Sequence, residues 1–110
     1  MVAAALVDDV FRALADPTRR AVVHQLSRGS ASVSDLAQRH DMALPSFVRH
    51  LRVLEDSGLV KSRKEGRVRT YQLDAKRLRV AEAWLAEQRT LWETRLDQFD
   101  AYVMSLKEKK

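Results

Sequence analysis

Two short amphipathic patterns separated by a tight turn constrain the fold of this chain more than any other feature. The first pattern, "SVSDLAQRH", opens with Ser32 as a helix cap and ends near His40, and the second, "LPSFVRHLRVLED", begins at Leu44. Pro45 is compatible with a helix start because the first helical turn does not use its backbone N–H. Two short helices joined by about three residues form a helix-turn-helix candidate.

The second of these helices has one face for a core and another for a partner. At about 100° per residue, Phe47, Leu51 and Leu54 fall within one narrow arc. Recognition helices read base edges with residues near their N-terminal end, where an arginine suits guanine and a serine suits a base or a phosphate. A solvated, charged surface helix is the alternative interpretation. The helix residues that we expect to contact DNA are Leu44, Pro45, Ser46, Arg49 and Arg52.

A basic β-hairpin is predicted directly after this helix, which Gly58 ends. We expect "LVKSRKEGRVRTYQL" to form two strands around a two-residue turn at Glu65-Gly66, with Lys64 opposite Arg67. Like charges directly opposite one another destabilise a hairpin, whereas a bound polyanion makes them favourable. An edge ribbon that its charges protect from aggregation is the alternative. The wing residues that we expect to contact DNA are Arg63, Lys64, Arg67 and Arg69.

Two helices precede the helix-turn-helix, and one long helix follows the hairpin. The first covers residues 6–14, the second begins at Asp16-Pro17 and runs to about residue 28, and the last spans about 75–106. The order α-α-α-α-β-β-α predicts a mainly α fold with a small β wing, a winged helix-turn-helix.

Length and charge support a single nucleic-acid-binding domain. We assign residues 1–110 to one winged helix-turn-helix domain, with a DNA-binding core at 6–73 and a C-terminal dimerisation helix at 74–106. The net charge is +5, and residues 28–73 alone hold nine basic and five acidic residues. A basic excess concentrated in this middle segment is the pattern expected of a surface that binds nucleic acid.

The last helix carries more apolar surface than one small domain can bury. A helix of about 32 residues spans nearly 50 Å, and five apolar residues recur along it at seven-residue spacing: Leu78, Leu85, Trp92, Phe99 and Leu106. A helix lying over its own core explains Leu78 to Leu85 but not Trp92 to Leu106. A two-fold partner is the simplest cover, and its expected contacts include Leu85, Trp92, Leu96, Phe99 and Val103. Trp84 and Trp92 pack in a core or line a ligand pocket, and the sequence favours the core.

The chain resembles the ArsR/SmtB family of winged-helix transcriptional repressors over nearly its whole length. "FRALADPTRRAVVHQL" is similar to the family's opening pair of helices, and "SVSDLAQRHDMALPSFVRHLRVLEDSGLVKSRKEGRVRTYQL" to its helix-turn-helix and wing, of which "HLRVLEDSGLV" is the most specific piece. The resemblance implies a homodimer whose first and last helices pack across a two-fold axis, which adds Val7 and Phe11 to the dimer residues. It also implies repression through a palindromic operator.

The chain departs from the family's metal-responsive members. Those members carry a Cys pair on the third helix, or acidic and His ligands on the last helix, and this chain has no Cys and no His in its last helix. We therefore expect no metal site of either kind and no cofactor. His24, His40 and His50 lie on three helices at no ligand spacing, so structural roles are expected. The family often has Ser where this chain has Ala43 and Val48. Ala43 removes a cap from the recognition helix, and Val48 removes a hydroxyl that could reach DNA.

The sequence predicts a sequence-specific, double-stranded DNA-binding transcriptional regulator, a homodimeric repressor acting on an inverted-repeat operator. An enzyme is not expected, because no phosphate loop, nucleophile elbow or paired-carboxylate pattern is present. A winged-helix protein-interaction module and a sequence-tolerant architectural DNA-binding protein are the alternatives. Any small-molecule effector stays unidentified. The chain has neither a long apolar run nor a signal-peptide pattern, which predicts a cytoplasmic protein without membrane association.

Overall fold

Five helices and a three-stranded sheet make up residues 2–108, the part of the chain that the computed structural model describes. This mainly helical, winged architecture confirms the predicted fold class. The elements in chain order are α1 (Val2–Leu14), α2 (Pro17–Leu26), β1 (Ala31–Ser32), α3 (Val33–Ala37), α4 (Leu44–Asp56), β2 (Val60–Glu65), β3 (Val68–Leu73) and α5 (Ala75–Glu108).

Side-chain caps fix the starts of α2 and α3. Asp16 Oδ2 accepts the backbone N–H of Arg19 at 3.0 Å, and Ser32 Oγ accepts that of Asp35 at 3.1 Å. Both helices end two to three residues earlier than predicted. After Ser27 and Gln38, the next two N–H groups of each segment bond to carbonyls three residues back instead of four, so the chain tightens into a turn.

The strand β1 was not predicted. It is two residues long and pairs with β3, Ala31 opposite Tyr71 and Ser32 opposite Thr70. The sheet order is therefore β1-β3-β2, antiparallel throughout. So short a strand has no alternating pattern to detect, although it ties the start of α3 to the wing.

The predicted position of the hairpin turn is wrong by one residue. Gly66 and Arg67, not Glu65 and Gly66, form the turn, and Glu65 remains paired in β2. Gly66 has φ +63° and supplies the positive φ at the first turn position, where glycine is favoured. Arg67 therefore lies in the turn and not opposite Lys64, whose actual partner is Arg69.

One hydrophobic core connects the helices with the sheet. Helix α4 contributes Phe47, Leu51 and Leu54, which is the arc that the helical pattern predicted, and each is at most 1% exposed. Because these three side chains fill the core, they fix which face of α4 points outward. The buried apolar residues are Val10, Ala13, Val22, Leu26, Leu36, Phe47, Leu51, Leu54, Leu59, Val60, Tyr71 and Ala81.

Helix α5 leaves the core within its first turns. Ala81 is 4% exposed and Leu78 packs against the core, but Leu85 is 52% exposed, so the alternative in which the helix lies over its own core does not extend to Leu85. The helix has 34 residues and the molecule extends 76 Å along its longest axis. Within residues 2–108, neither this helix nor any other has an apolar stretch long enough to cross a bilayer.

Candidate nucleic-acid interface

The outer face of α4 is open to solvent along its N-terminal half. Phe47 on the opposite face is 1% exposed, whereas the apolar Leu44 on the outer face is 56% exposed. The outer face therefore combines a hydroxyl, two guanidinium groups and an apolar side chain, a mixture that suits base edges and thymine methyl groups. All the helix residues predicted to contact DNA are exposed: Leu44, Pro45, Ser46, Arg49 and Arg52.

The helix α4 begins without a side-chain cap. Ala43 occupies the cap position in an extended conformation, with φ −64° and ψ 143°, and has no oxygen to accept an N–H. Pro45 has no N–H, and helix geometry leaves those of Leu44 and Ser46 without an intrahelical acceptor. Together with the helix dipole, these donors favour an anion at the exposed N-terminus.

A polar network behind α4 joins it to α1 and α2. Arg19 Nη1 lies 3.2 Å from His50 Nδ1, and its Nε donates to the Ala13 carbonyl at 2.6 Å. Asp16 Oδ2 lies 3.7 Å from the same His50 nitrogen. Burial raises the pKa of Asp16, but the N–H groups of Arg19 and Thr18 and the charges of His50 and Arg19 outweigh burial and lower it overall. Sequence reasoning identified Asp16 as a cap but missed this network.

His40 lies in the turn before α4 and packs against that helix. Its ring packs against Phe47 with centroids 5.0 Å apart, and its Nε2 lies 2.9 Å from Gln25 Oε1. His40 and His50 are thus engaged in packing and hydrogen bonding, while His24 is exposed. Among residues 2–108, no three His, Cys, Asp or Glu side chains are grouped so as to hold a metal ion.

The wing presents basic side chains along its whole outer end. Lys64 stands opposite Arg69, so a like-charge pair exists in the observed register, although with a different partner from the predicted one. Arg63 Nη2 lies 2.6 Å from Glu65 Oε1, and both side chains are exposed, so this ion pair stabilises the wing little. All four wing residues predicted to contact DNA are exposed: Arg63, Lys64, Arg67 and Arg69.

A chain of hydrogen bonds links the wing to the C-terminal end of α4. Ser62 Oγ donates to Glu55 Oε1 at 2.6 Å and accepts from Arg69 Nη1 at 2.8 Å. Sequence reasoning did not select Glu55 or Ser62. Strand alternation could have identified Ser62, because it puts this residue on the same face as the buried Val60 and hence toward the domain.

The residues predicted to form the dimer lie on α1 and α5, which contact one another. Val7 and Phe11 of α1 are half-buried, and the Phe11 ring meets that of Trp84 edge to face, with centroids 5.5 Å apart. This contact gives Trp84 a packing role. Val103 is half-buried, and the other predicted dimer residues are more than half exposed: Leu85, Trp92, Leu96 and Phe99.

Several known proteins similar to this chain are transcriptional regulators. The helix-turn-helix domain family matches residues 14–63. The HTH-type transcriptional regulator Rv2034 of Mycobacterium tuberculosis is 43% identical over 67 residues, which are 61% of this chain and 63% of that protein. The arsenical resistance operon repressor of Escherichia coli is 38% identical over 86 residues, covering 72% of this chain and 73% of that protein.

Solved structures give the same result at the level of the fold. The crystal structure of RHA00566, an ArsR family transcriptional regulator, has a TM-score of 0.77 and 56% sequence identity, covering 80% of this chain and 91% of that chain. An ArsR-like transcriptional regulator from Rhodococcus sp. RHA1 has a TM-score of 0.77 and 31% sequence identity. The match covers 90% of this chain and 93% of that chain. These relatives are transcriptional regulators and not enzymes.

Proposed function

This chain belongs to the ArsR family of transcriptional regulators, and from that premise we propose that it is a homodimeric repressor of a palindromic operator. One observation carries the proposal: α4 buries one face completely and exposes a basic, uncapped N-terminal face next to a basic wing. A helix used only for packing has no need of such a surface.

The exposed side chains divide into two proposed roles. On α4, Arg49 suits the O6 and N7 atoms of guanine, and Ser46 suits a base edge or a phosphate. Arg52, one turn further along, is better placed for phosphate. Lys64 and Arg67 lie at the outer end of the hairpin and not on the recognition helix, so we assign them to the DNA backbone.

A second copy of the chain is the proposed cover for the apolar side of α5. At about 100° per residue, the exposed apolar side chains of α5 other than Met104 lie within an arc of roughly 140°, with Leu96 at one edge and Leu91 at the other. That arc is wider than the seam of a two-stranded coiled coil, so the partner contributes more than one helix. The adjacent α1, through Phe11, is the second element that we assign to the interface.

The remaining assignments follow from this arrangement. We propose that residues 6–73 form the DNA-binding core and residues 74–106 the dimerisation helix, in one domain. Because the chain contains no Cys and no His after His50, we propose that its repression does not respond to metals through the family's usual sites. We also propose a cytoplasmic location, because a transcriptional regulator has to reach its operator.

Selection of bound sequences from a pool of random duplexes tests the proposal directly. We expect the selected duplexes to share an inverted repeat whose half-sites are about 34 Å apart, one turn of B-DNA. Random duplexes retained without any common sequence would favour the architectural alternative. A protein that retains no duplex at low salt would be a protein-interaction module, and the proposal would be wrong.

The salt dependence of binding to a selected duplex provides a second measurement. If each dimer neutralises about 6–10 phosphates, the dissociation constant should rise about a thousandfold or more between 50 and 200 mM salt. Fluorescence anisotropy with a labelled duplex measures this change. A dissociation constant that is nearly constant over this range would contradict the assignment of the basic wing and α4 to the DNA backbone.

A further inference from the structure

Glu55 is a carboxylate at the edge of a surface that we propose faces DNA. It lies on α4 one turn after Arg52, and its side chain is exposed. A carboxylate in such a position repels phosphates, so attraction for DNA does not explain it. The observed partner of Glu55 is not an arginine but the hydroxyl group of Ser62, which donates to Oε1 at 2.6 Å. An acceptor fixed to the recognition helix therefore holds a strand of the wing.

Ser62 lies where the wing separates from the domain. Its cross-strand neighbour, Tyr71, is 5% exposed and belongs to the core, whereas all residues from 63 to 69 are exposed. Burial, together with the charge of Glu55, raises the pKa of Tyr71, in keeping with a carboxylate close to this ring. Beyond Ser62 the hairpin projects into solvent, so a contact at this position controls the direction of the whole projecting part.

The same hydroxyl group also orients Arg69. Ser62 Oγ accepts from Arg69 Nη1 at 2.8 Å, which draws that guanidinium toward α4. Arg69 stands opposite Lys64, and like charges in that relation repel one another. The hydrogen bond thus moves one of the two charges inward and leaves Lys64 free at the outer end of the wing.

We propose that Glu55 and Ser62 are positioning residues, and that the chain Glu55–Ser62–Arg69, here called the wing latch, sets the angle between the wing and the recognition helix. This inference rests on the proposed DNA-binding function. The latch makes α4 and the wing one rigid surface, so that wing contacts to the duplex backbone form in register with base contacts by α4. Neither positioning residue needs to contact DNA.

A matched pair of substitutions at Glu55 separates the effect of the hydrogen bond to Ser62 from the effect of the negative charge. Glu55→Gln and Glu55→Ala remove the same negative charge, which by itself strengthens DNA binding equally in both. Only Glu55→Gln retains an oxygen that can accept from Ser62. Each protomer loses one hydrogen bond of the latch, worth about 3- to 10-fold in affinity. Because two protomers bind one duplex, we expect Glu55→Ala to bind a duplex selected by the wild-type protein about 10- to 100-fold more weakly than Glu55→Gln. Hydroxyl-radical footprints should show reduced protection where the wing lies and unchanged protection by α4.

A second pair leaves the net charge unaltered. Ser62→Thr keeps the hydroxyl group on a β-branched residue that suits a strand, and Ser62→Ala removes the hydroxyl. We expect wild-type footprints with Ser62→Thr and lost wing protection with Ser62→Ala, while both variants melt close to the wild-type temperature. Equal footprints and equal affinities within both pairs would overturn the latch.

Amide hydrogen exchange of the free protein keeps the latch testable without DNA. We expect faster exchange of the β2 and β3 amides in Ser62→Ala than in Ser62→Thr, and in Glu55→Ala than in Glu55→Gln. If the wild-type protein binds no duplex, the proposed function fails, and the exchange rates still decide whether the latch holds the wing. Equal exchange within both pairs contradicts the latch whatever the DNA result is.

Discussion

Asp16 combines a local and a distant interaction in one side chain. Its carboxylate caps α2 through the N–H of Arg19 and faces His50, which belongs to the recognition helix. Arg19 completes the triangle by contacting His50 and the last carbonyls of α1. The same carboxylate therefore stabilises the start of α2 and the packing of α4 against it.

We predict that Asp16→Ala lowers the free energy of unfolding by about 1 kcal/mol at pH 7, because a helix cap is lost. Asp16→Asn should cost less, since the amide oxygen can still cap. The pKa of Asp16 is lower in the folded protein than its ordinary 3.8, so its charge stabilises the fold above that value. This contribution is lost as the pH falls through 3.8 toward the folded pKa.

Denaturant unfolding at equal protein concentration measures both effects. The difference in stability between wild type and Asp16→Asn should be constant near neutral pH and shrink as the pH falls below about 3.8, where both side chains become neutral. A difference that is the same at pH 7 and pH 3 would show that the Asp16 charge contributes nothing to the stability of the fold.

At the residue scale, local interactions could be predicted and distant ones could not. The cap at Asp16-Pro17 involves residues within one helical turn, and that short range is what sequence patterns record. Arg19 and His50 are 31 positions apart in the chain, and their contact depends on how α2 crosses α4. No local pattern encodes that crossing, which is why Arg19 was not singled out.

At the scale of elements, substitutions on α4 and on the wing should have different effects on DNA binding. We predict that Arg49→Ala relaxes sequence preference at one base pair per half-site and weakens binding to the selected operator by about 1–3 kcal/mol. Lys64→Ala should weaken binding to selected and random duplexes alike and reduce the slope of the salt dependence, because it removes a backbone contact. Repeating the selection with each variant measures both.

Lys61 provides the control for this comparison. It lies on β2 near the base of the wing and has the same charge as Lys64. Lys61→Ala should change binding less than Lys64→Ala, because it lies further from the tip. An Arg49→Ala protein with unaltered affinity and unaltered selected sequences would mean that the reading face of α4 is assigned to the wrong residues.

The helix α4 and the hairpin show which sequence patterns are sufficient to predict the position of an element. The start of α4 at Leu44 and its buried arc were predicted correctly, since three apolar residues at helical spacing specify a face. The hairpin was predicted but its turn was misplaced by one residue, because the alternation in "VKSRKEGRV" tolerates either turn. The observed pairing of Glu65 with Val68 places the turn at Gly66 and Arg67. A change of turn moved Arg67 from the strand into the loop.

At the scale of the whole molecule, α5 determines how the DNA-binding surfaces are used. Its first turns pack on the core through Leu78 and Ala81, and the rest projects with its apolar side chains in solvent. The sequence predicted this excess of apolar surface from length and spacing alone. Where the helix leaves the core was not predictable, because that point depends on how α5 packs against α1, which no local pattern in the sequence specifies.

We predict that Phe99→Glu converts the proposed dimer into monomers. Phe99 is 62% exposed in the single chain, and two-fold symmetry places two copies of the substitution in one interface. Burying a side chain of this size is worth about 1.5–3 kcal/mol, so the dimer dissociation constant should rise by about 10²–10⁴-fold. Sedimentation velocity across a concentration series measures the shift.

The effect on DNA distinguishes a broken dimer from a damaged domain. A monomer can hold only one half-site, so Phe99→Glu should bind an inverted repeat much more weakly than wild type and no better than a single half-site. Ala101→Glu adds the same charge about 160° away around the helix and should leave both the dimer and the operator affinity unaltered. If Phe99→Glu stays dimeric and binds the inverted repeat like wild type, the partner does not cover this part of α5. The two recognition helices would then have to be held at the spacing of the half-sites by a different surface.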